Sequence, residues 1–260
     1  MGNKSNMKNC NNRRLFNGNL ILKEDYELID INIEDKKDRE ILKSFYTSYK
    51  KAFSDDDERE TLENIYHYLG KKDKTKNKYH ILMIKDKKDI LAGAIFDYLS
   101  DVASGIVEYI FVVQKHRRKH IGSDLFKKII EILKEDAKND NKVLEWVYCE
   151  IDDPTTRDPN DRGYIFFWKK QGLKKIDVKY IQPALESNKK TVDKLQIIAK
   201  SYDKNKLNID KKVYENFLYN FFEFCFDLDN IELHIKAQNL ENIPSTIELK
   251  EIEVNNLPNN

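Results

Sequence analysis

Cysteine is scarce: Cys10, Cys149 and Cys225 are all that 260 residues hold. Three thiols so widely spaced suit neither a disulfide framework nor a zinc site, so a reducing, cytoplasmic setting and no metal are expected. Long apolar runs are missing too. Residues 1–19 lack the apolar core of a signal peptide, and no later stretch reaches the length of a membrane span, so no membrane partner is expected. Gly2 and Ser5 resemble a myristoylation start only weakly, because Asn6 stands where Ser or Thr is favoured. An excess of one charge is absent as well: 46 Lys+Arg against 45 Asp+Glu leave +1, and nothing global points to nucleic acid. P-loop and G-x-G-x-x-G signatures and internal repeats are not found.

The chain has 40% hydrophobic residues, enough for the core of one large domain. Residues 1–23, dominated by Asn, Lys and Arg, are expected to be a disordered leader. Alternation predicts a first strand over Tyr26 to Ile33. Helical spacing of Ile41, Leu42, Phe45, Tyr46, Tyr49 and Phe53 predicts a helix over Asp35 to Phe53. Ser54 and Asp57 can cap a second helix that stops at Gly70. The run Asp55-Asp56-Asp57-Glu58 then either complements that helix's dipole or attracts an amine. Tyr79 to Lys85 and Asp89 to Leu99 read as a hairpin.

The most informative stretch is Gly105 to Ala137. It opens as a strand, Ile106 to Val113, and closes as a helix with Leu125, Ile129, Ile130, Leu133 and Ala137 at helical spacing. Between them lies the turn Gln114-Lys115-His116-Arg117-Arg118-Lys119-His120-Ile121-Gly122-Ser123. It brings cations and successive N–H groups to a helix N-terminus, and it reads either as a solvated basic loop or as a phosphate cradle. Lys142 to Ile151 supplies a further strand, parallel to the one before because a full helix connects them. Leu173 to Gln182 and Leu195 to Tyr202 are two more. A helix follows from about Asp210 to Phe226, aromatic on more than one face, for core packing or a homodimer contact. Thr246 to Ile252 is a short strand.

The turn Arg117 to Gly122 resembles the R/Q-x-x-G-x-G/A pyrophosphate loop of the GNAT superfamily of acyl-CoA N-acyltransferases, with His120 in place of the first glycine. Phe167-Trp168-Lys169-Lys170-Gln171-Gly172-Leu173 resembles that family's F-Y-x-x-x-G-F helix signature, with Gly172 as the helix stop. Asp158, Pro159, Arg162, Phe167, Trp168, Gly172, Tyr180, Gln182, Pro183 and Leu185 are similar to a bacterial subgroup pattern containing Y-x-Q-P-x-L. The resemblance implies an α/β (α+β) fold, with a central mixed, mostly antiparallel sheet flanked by helices. The domain would span 24–203, with 204–260 as a C-terminal helix and tail packed on it.

It implies acetyl-CoA, or another acyl-CoA, as co-substrate and a small-molecule or peptide amine as acceptor. Arg117, Arg118, Lys119, His120, Ile121, Gly122 and Ser123 would surround the pyrophosphate. Phe111 and Val113 would pair with the pantetheine amides, Val112 would offer an oxyanion N–H, and Trp168 would line the cofactor. Amine acylation needs a base. Glu108 is the first candidate, because alternation places it on one strand face with Ile106, Ile110 and Val112, where desolvation raises a carboxyl's pKa. Glu150 is the second. Tyr164, one helical turn before Trp168, is the candidate acid for the leaving thiolate, since an indole cannot supply that proton. Cys149 reads as core. Two other classes fit the same residues: an acyl-CoA-binding regulatory module without turnover, and an interaction protein whose basic turn binds a phosphorylated partner.

Overall fold

A computed structural model describes residues 26–71, 75–154, 163–203, 206–226 and 228–253. The leader, Cys10, Asp158, Pro159 and Arg162 lie outside the described residues. Among the described residues, nine strands form one sheet in the order β1-β2-β3-β4-β5-β7-β6-β9-β8. Their ranges are β1 Glu27–Asp30, β2 Lys78–Lys85, β3 Ile90–Leu99, β4 Ser104–Val112, β5 Trp146–Asp152, β6 Lys174–Ile176, β7 Leu195–Ser201, β8 Asn208–Asp210 and β9 Thr246–Lys250. All neighbours pair antiparallel except β4 and β5, which run parallel. The helix α3, Ile121–Asn139, makes that crossover.

On one face of the sheet, α3 and α4 (Gly163–Gln171) cover β2 to β5. Leu125, Ile129, Leu133 and Ala137 of α3 are fully buried there. Gly105 permits this close approach: a Cβ at that position would lie 2.4 Å from Leu133. On the opposite face, α1 (Lys36–Ala52) buries Leu42, Phe45 and Tyr49, and α2 (Leu62–Lys71) buries Ile65, Tyr68 and Leu69. Asp35 caps α1 by accepting from the Lys37 N–H at 2.8 Å. Further along this face, α5 (Lys211–Cys225) buries Tyr214, Phe217, Leu218, Phe221, Phe222 and Cys225. Phe217 stacks on Tyr148 of β5 at 3.6 Å between ring centroids. A short helix, α6 (Ile231–Ala237), follows.

Several boundaries differ from expectation for identifiable reasons. The first strand is limited to Glu27–Asp30. The second helix begins at Leu62, not after Ser54, because the Thr61 hydroxyl accepts from the Asn64 N–H at 3.2 Å and supplies the cap. Asp55 and Glu58 therefore do not serve that helix's dipole, and both pair with Lys194, at 2.9 and 2.7 Å. The strand expected over Leu173 to Gln182 shrinks to Lys174–Ile176, with Gln182 rejoining only as an isolated bridge to Val192. The sheet also continues past β7, since β9 pairs with β6 and β8 with β9. No helix among the described residues is long and apolar enough to cross a membrane.

Candidate active site

The site is set by two irregularities in β4. First, β4 and β5 pair only from Ser104/Trp146 to Val107/Cys149. Beyond that point β4 continues with β3 to Val112 and β5 continues with β7 to Asp152, so the two parallel strands part. Second, the β3–β4 register slips where Ile95 faces Tyr109 and Phe96 faces Val107. Glu108 is the extra residue of this bulge.

The bulge corrects the alternation expected for Glu108. Ile110 and Val112 pack with Val107 on the α3 face. Tyr109 and Phe111 lie in the cluster with α1 and α2, and Ile106 lies in the cluster with α5. Glu108 shares that second face with Asp97 of β3 and Cys225 of α5, one donor atom from each of the three lying within 4.8 Å of the others. A bulge shifts the period of 2 by one residue, which no count along the sequence can show.

Backbone phase also changes two expected contacts. The Val113 N–H donates to the Leu91 carbonyl at 2.9 Å, so Val113 and, by antiparallel alternation, Phe111 turn their amides toward β3. Phe111 places its ring against Phe45 and Phe53. The groups facing the gap are those of Ile110 and Val112, and the Val112 carbonyl is reached by Arg117 Nε at 3.2 Å.

The cationic turn begins with a single 3-10 turn, Gln114–His116, and leads into α3. His120 has φ 63° and ψ −1°, and Arg118 has φ 62°. Left-handed backbone is where a glycine is expected, and His is among the side chains that tolerate it. The first intrahelical bond runs from Asp124 N–H to His120 C=O at 3.1 Å, so the N–H groups of Ile121, Gly122 and Ser123 precede the helical ladder. Arg117, Arg118, Lys119 and His120 are exposed, while Ile121 is buried as an anchor. A Cβ on Gly122 would lie 3.2 Å from Val112 Cγ2 and 3.4 Å from Phe167, so glycine lets the helix start sit against both β4 and α4. Ser123 Oγ accepts from Gln171 at 3.2 Å, which ties the same turn to the end of α4. These residues fit a pyrophosphate.

Trp168 is 5% exposed and packs edge-on to Phe126 and Phe167, in the contact between α3 and α4. Tyr164 is half-buried, and its hydroxyl lies 3.5 Å from the Asp152 carbonyl at the far end of β5. Gly172 ends α4 with φ 77°. Cys149 is fully buried on the α3 face, and burial pushes its thiol well above the usual value.

On the α1/α2/α5 face the gap opens onto carboxyl groups. Burial, then Asp97, raises the Glu108 pKa well above the carboxylate range, with Glu60 and Glu150 adding to it. Burial raises Asp97 to about 6 and Glu60 and Glu150 to about 7 each. Glu150 accepts a hydrogen bond from the Tyr180 hydroxyl. Among the described residues, Oε1 of Glu108, Oδ1 of Asp97 and Oε1 of Gln182 have no donor other than the carboxyls of Asp97 and Glu108 that face each other. Residues 58–60 lie over this face, with Tyr109 donating to the Glu58 carbonyl and Glu60 N–H donating to the Tyr49 hydroxyl, both at 2.9 Å.

Asp97, Glu60 and Cys225 were not among the residues picked from the sequence. Asp97 was the legible one, a single acid inside the apolar strand ILAGAIFDYL. Asp97, Glu108 and Cys225 have the donor types to hold a metal ion, although no spacing signal links three positions so far apart.

The sequence matches the model of the acetyltransferase (GNAT) family over residues 41–172. The chain belongs to the GNAT family. Its activity class is therefore acyl transfer. An acetyltransferase of the GNAT family from Bacteroides thetaiotaomicron has the same fold, with TM-score 0.57 at 14% identity over 78% of this chain and 99% of that one. The ribosomal-protein-S18-alanine N-acetyltransferase from Escherichia coli aligns with TM-score 0.47 at 12% identity, over 71% of this chain and 98% of that one. A GNAT acetyltransferase from Elizabethkingia anophelis with acetyl-CoA bound gives 0.43 at 14% identity, over 68% and 98%. No curated protein matches the chain.

Proposed function

We propose that this GNAT chain moves an acetyl or other short acyl group from acyl-CoA to a primary amine, by direct attack within a ternary complex, with Glu108 as general base. The observation that carries this reading is the bulge. It aims a buried carboxylate onto the acceptor face at the residue where β4 parts from β5. The left-handed turn through Arg118 and His120 and the N–H groups of Ile121, Gly122 and Ser123 hold the pyrophosphate, and the gap-facing amides of Ile110 and Val112 hold the pantetheine arm as an added strand would.

An amine attacks only as the free base. Glu108 takes the proton from the bound ammonium, the nitrogen lone pair forms the C–N bond, and the Val112 N–H receives the charge developing on the carbonyl oxygen. The C–S bond then breaks, and the Tyr164 hydroxyl is the group placed to return a proton to the thiolate. Burial and the neighbouring Asp97 raise the Glu108 pKa, so its proton-accepting form grows as pH rises. The acyl-transfer unit lies within the residues up to 203, and α5 with β8 and β9, which extend the same sheet, packs on it and supplies Cys225 to the acceptor face.

The test is acceptor-dependent thiol release from acetyl-CoA by wild type and by Glu108→Gln. Removing the base should lower kcat by about 100-fold or more while leaving acetyl-CoA affinity unchanged. An unaltered rate and pH profile in Glu108→Gln would reject Glu108 as base. Acetyl-CoA binding with no thiol release for any amine would favour a regulatory module instead.

A further inference from the structure

The acceptor face holds more negative charge than a general base requires. Glu150 follows Cys149, the last β5 residue paired with β4, and it faces the same side as Tyr148 and Tyr180, opposite the α3 cluster. It therefore flanks the mouth of the gap from β5 as Glu108 does from β4. Among the described residues no Lys or Arg pairs with Glu108, Asp97 or Glu150. Two lysines on the segment that follows are committed elsewhere. Lys194 holds Asp55 and Glu58, and Lys189 donates to the Arg59 carbonyl and lies 4.0 Å from Glu186.

Apart from the Asp97 carboxyl beside it, Glu108 (8% exposed) has no donor for its Oε1 among the described residues, and neither has Gln182 (2% exposed) for its own Oε1. The Gln182 side-chain amide approaches the Glu150 carboxyl, which puts its oxygen near that group. An ammonium group, with three donors, satisfies a carboxylate and an amide oxygen together. The face thus offers two separate ammonium positions, one at Glu108 and one at Glu150 with Gln182.

We infer that the acceptor is a small aliphatic diamine or polyamine, with its reacting nitrogen at Glu108 and a second ammonium held by Glu150 and Gln182. This rests on the acyl-transfer reading above and adds the substrate class. A zwitterionic amino acid is disfavoured, because its carboxylate would face Glu150 with no cation to receive it. The ties that close residues 55–60 over the face, from Lys189, Lys190 and Lys194, favour a small acceptor over a protein tail.

The experiment compares kcat/KM of wild type for α,ω-diaminoalkanes, n-alkylamines of the same carbon number and ω-amino acids of the same length, with acetyl-CoA as donor. Diamines should exceed monoamines by about tenfold or more, the ω-amino acids should be poorest, and Glu150→Gln should collapse the diamine-to-monoamine ratio toward one. Should Glu150→Gln fail to fold, the wild-type ratios decide alone. Equal rates for monoamines and diamines, or a preference for the amino acids, would overturn the diamine assignment and leave acyl transfer standing. Acetyl-CoA binding without transfer to any amine would overturn both.

Discussion

Replacing Asp97 with Asn should move the acid limb of the pH–rate profile downward. In wild type the carboxyls of Asp97 and Glu108 have oxygens within 4.8 Å and are both buried. At that separation and an effective dielectric of about 20, like charges repel by about 3 kcal/mol, which holds the Glu108 pKa up. The neutral amide of Asp97→Asn would remove the repulsion and could donate an N–H to the Glu108 carboxylate, which lowers its pKa again. The direction follows from the shift itself. A raised Glu108 pKa means that the catalytically competent carboxylate appears only as pH rises, so lowering it brings activity to more acidic solutions. In wild type the limb belongs to the pair, whereas in Asp97→Asn it belongs to Glu108 alone. The assay is kcat/KM against pH from thiol release with one amine, alongside circular dichroism to verify folding. A folded Asp97→Asn with its acid limb unmoved, or moved upward, would refute the coupling and with it the role given to Glu108.

Two further outcomes follow from the same geometry. Relieving left-handed strain of about 1 kcal/mol, His120→Gly should hold acetyl-CoA affinity within about threefold, whereas β-branched His120→Val should lose it, both read by calorimetric titration. Thermal stability should fall as pH rises from about 5 to about 8. Glu60 and Glu150 hold protons in the fold up to about 7, whereas the unfolded chain releases them near its ordinary carboxylate pKa. Glu150→Gln should flatten this slope by about 1–3 kcal/mol, or several degrees in Tm, by scanning calorimetry across that range. Below about pH 4 the opposite contribution sets in, as Asp55, Asp86 and Asp140, whose pKa values are lowered, lose their partners.

Much of this fold was legible because its strongest elements are locally consistent. The helical stripe from Leu125 to Ala137, the β2–β3 hairpin and the αL stop at Gly172 each carry their own signal. The turn from Arg117 to Gly122 was readable even with His120 in the glycine position, since the backbone keeps the left-handed conformation. What was not readable depends on pairing. The bulge at Glu108 exists only in the register between β3 and β4, and it decides which face the carboxylate takes. The ends of β9 and β8 are fixed by partners distant in sequence, β9 pairing β6 as at Lys175↔Lys250 and β8 pairing β9 as at Asn208↔Glu248. The acidic face was hidden for the same reason, because Glu60, Asp97, Glu108, Glu150 and Cys225 come from five separate elements or connections and share no spacing. Ser54 failed as a cap because the Thr61 hydroxyl caps that helix, while Lys194, far along the chain, holds Asp55 and Glu58.

The account depends first on acyl-CoA occupying the gap between β4 and β5 with its pyrophosphate on the turn before α3. Calorimetric titration of the full chain with acetyl-CoA, with CoA and ADP as comparison ligands, tests this most directly. Binding of acetyl-CoA and CoA with a stoichiometry of about one and ADP much weaker is the result the account predicts, since the strand-like pantetheine contacts to Ile110 and Val112 are missing in ADP. Equal binding of ADP, or no binding of any of the three, would contradict it.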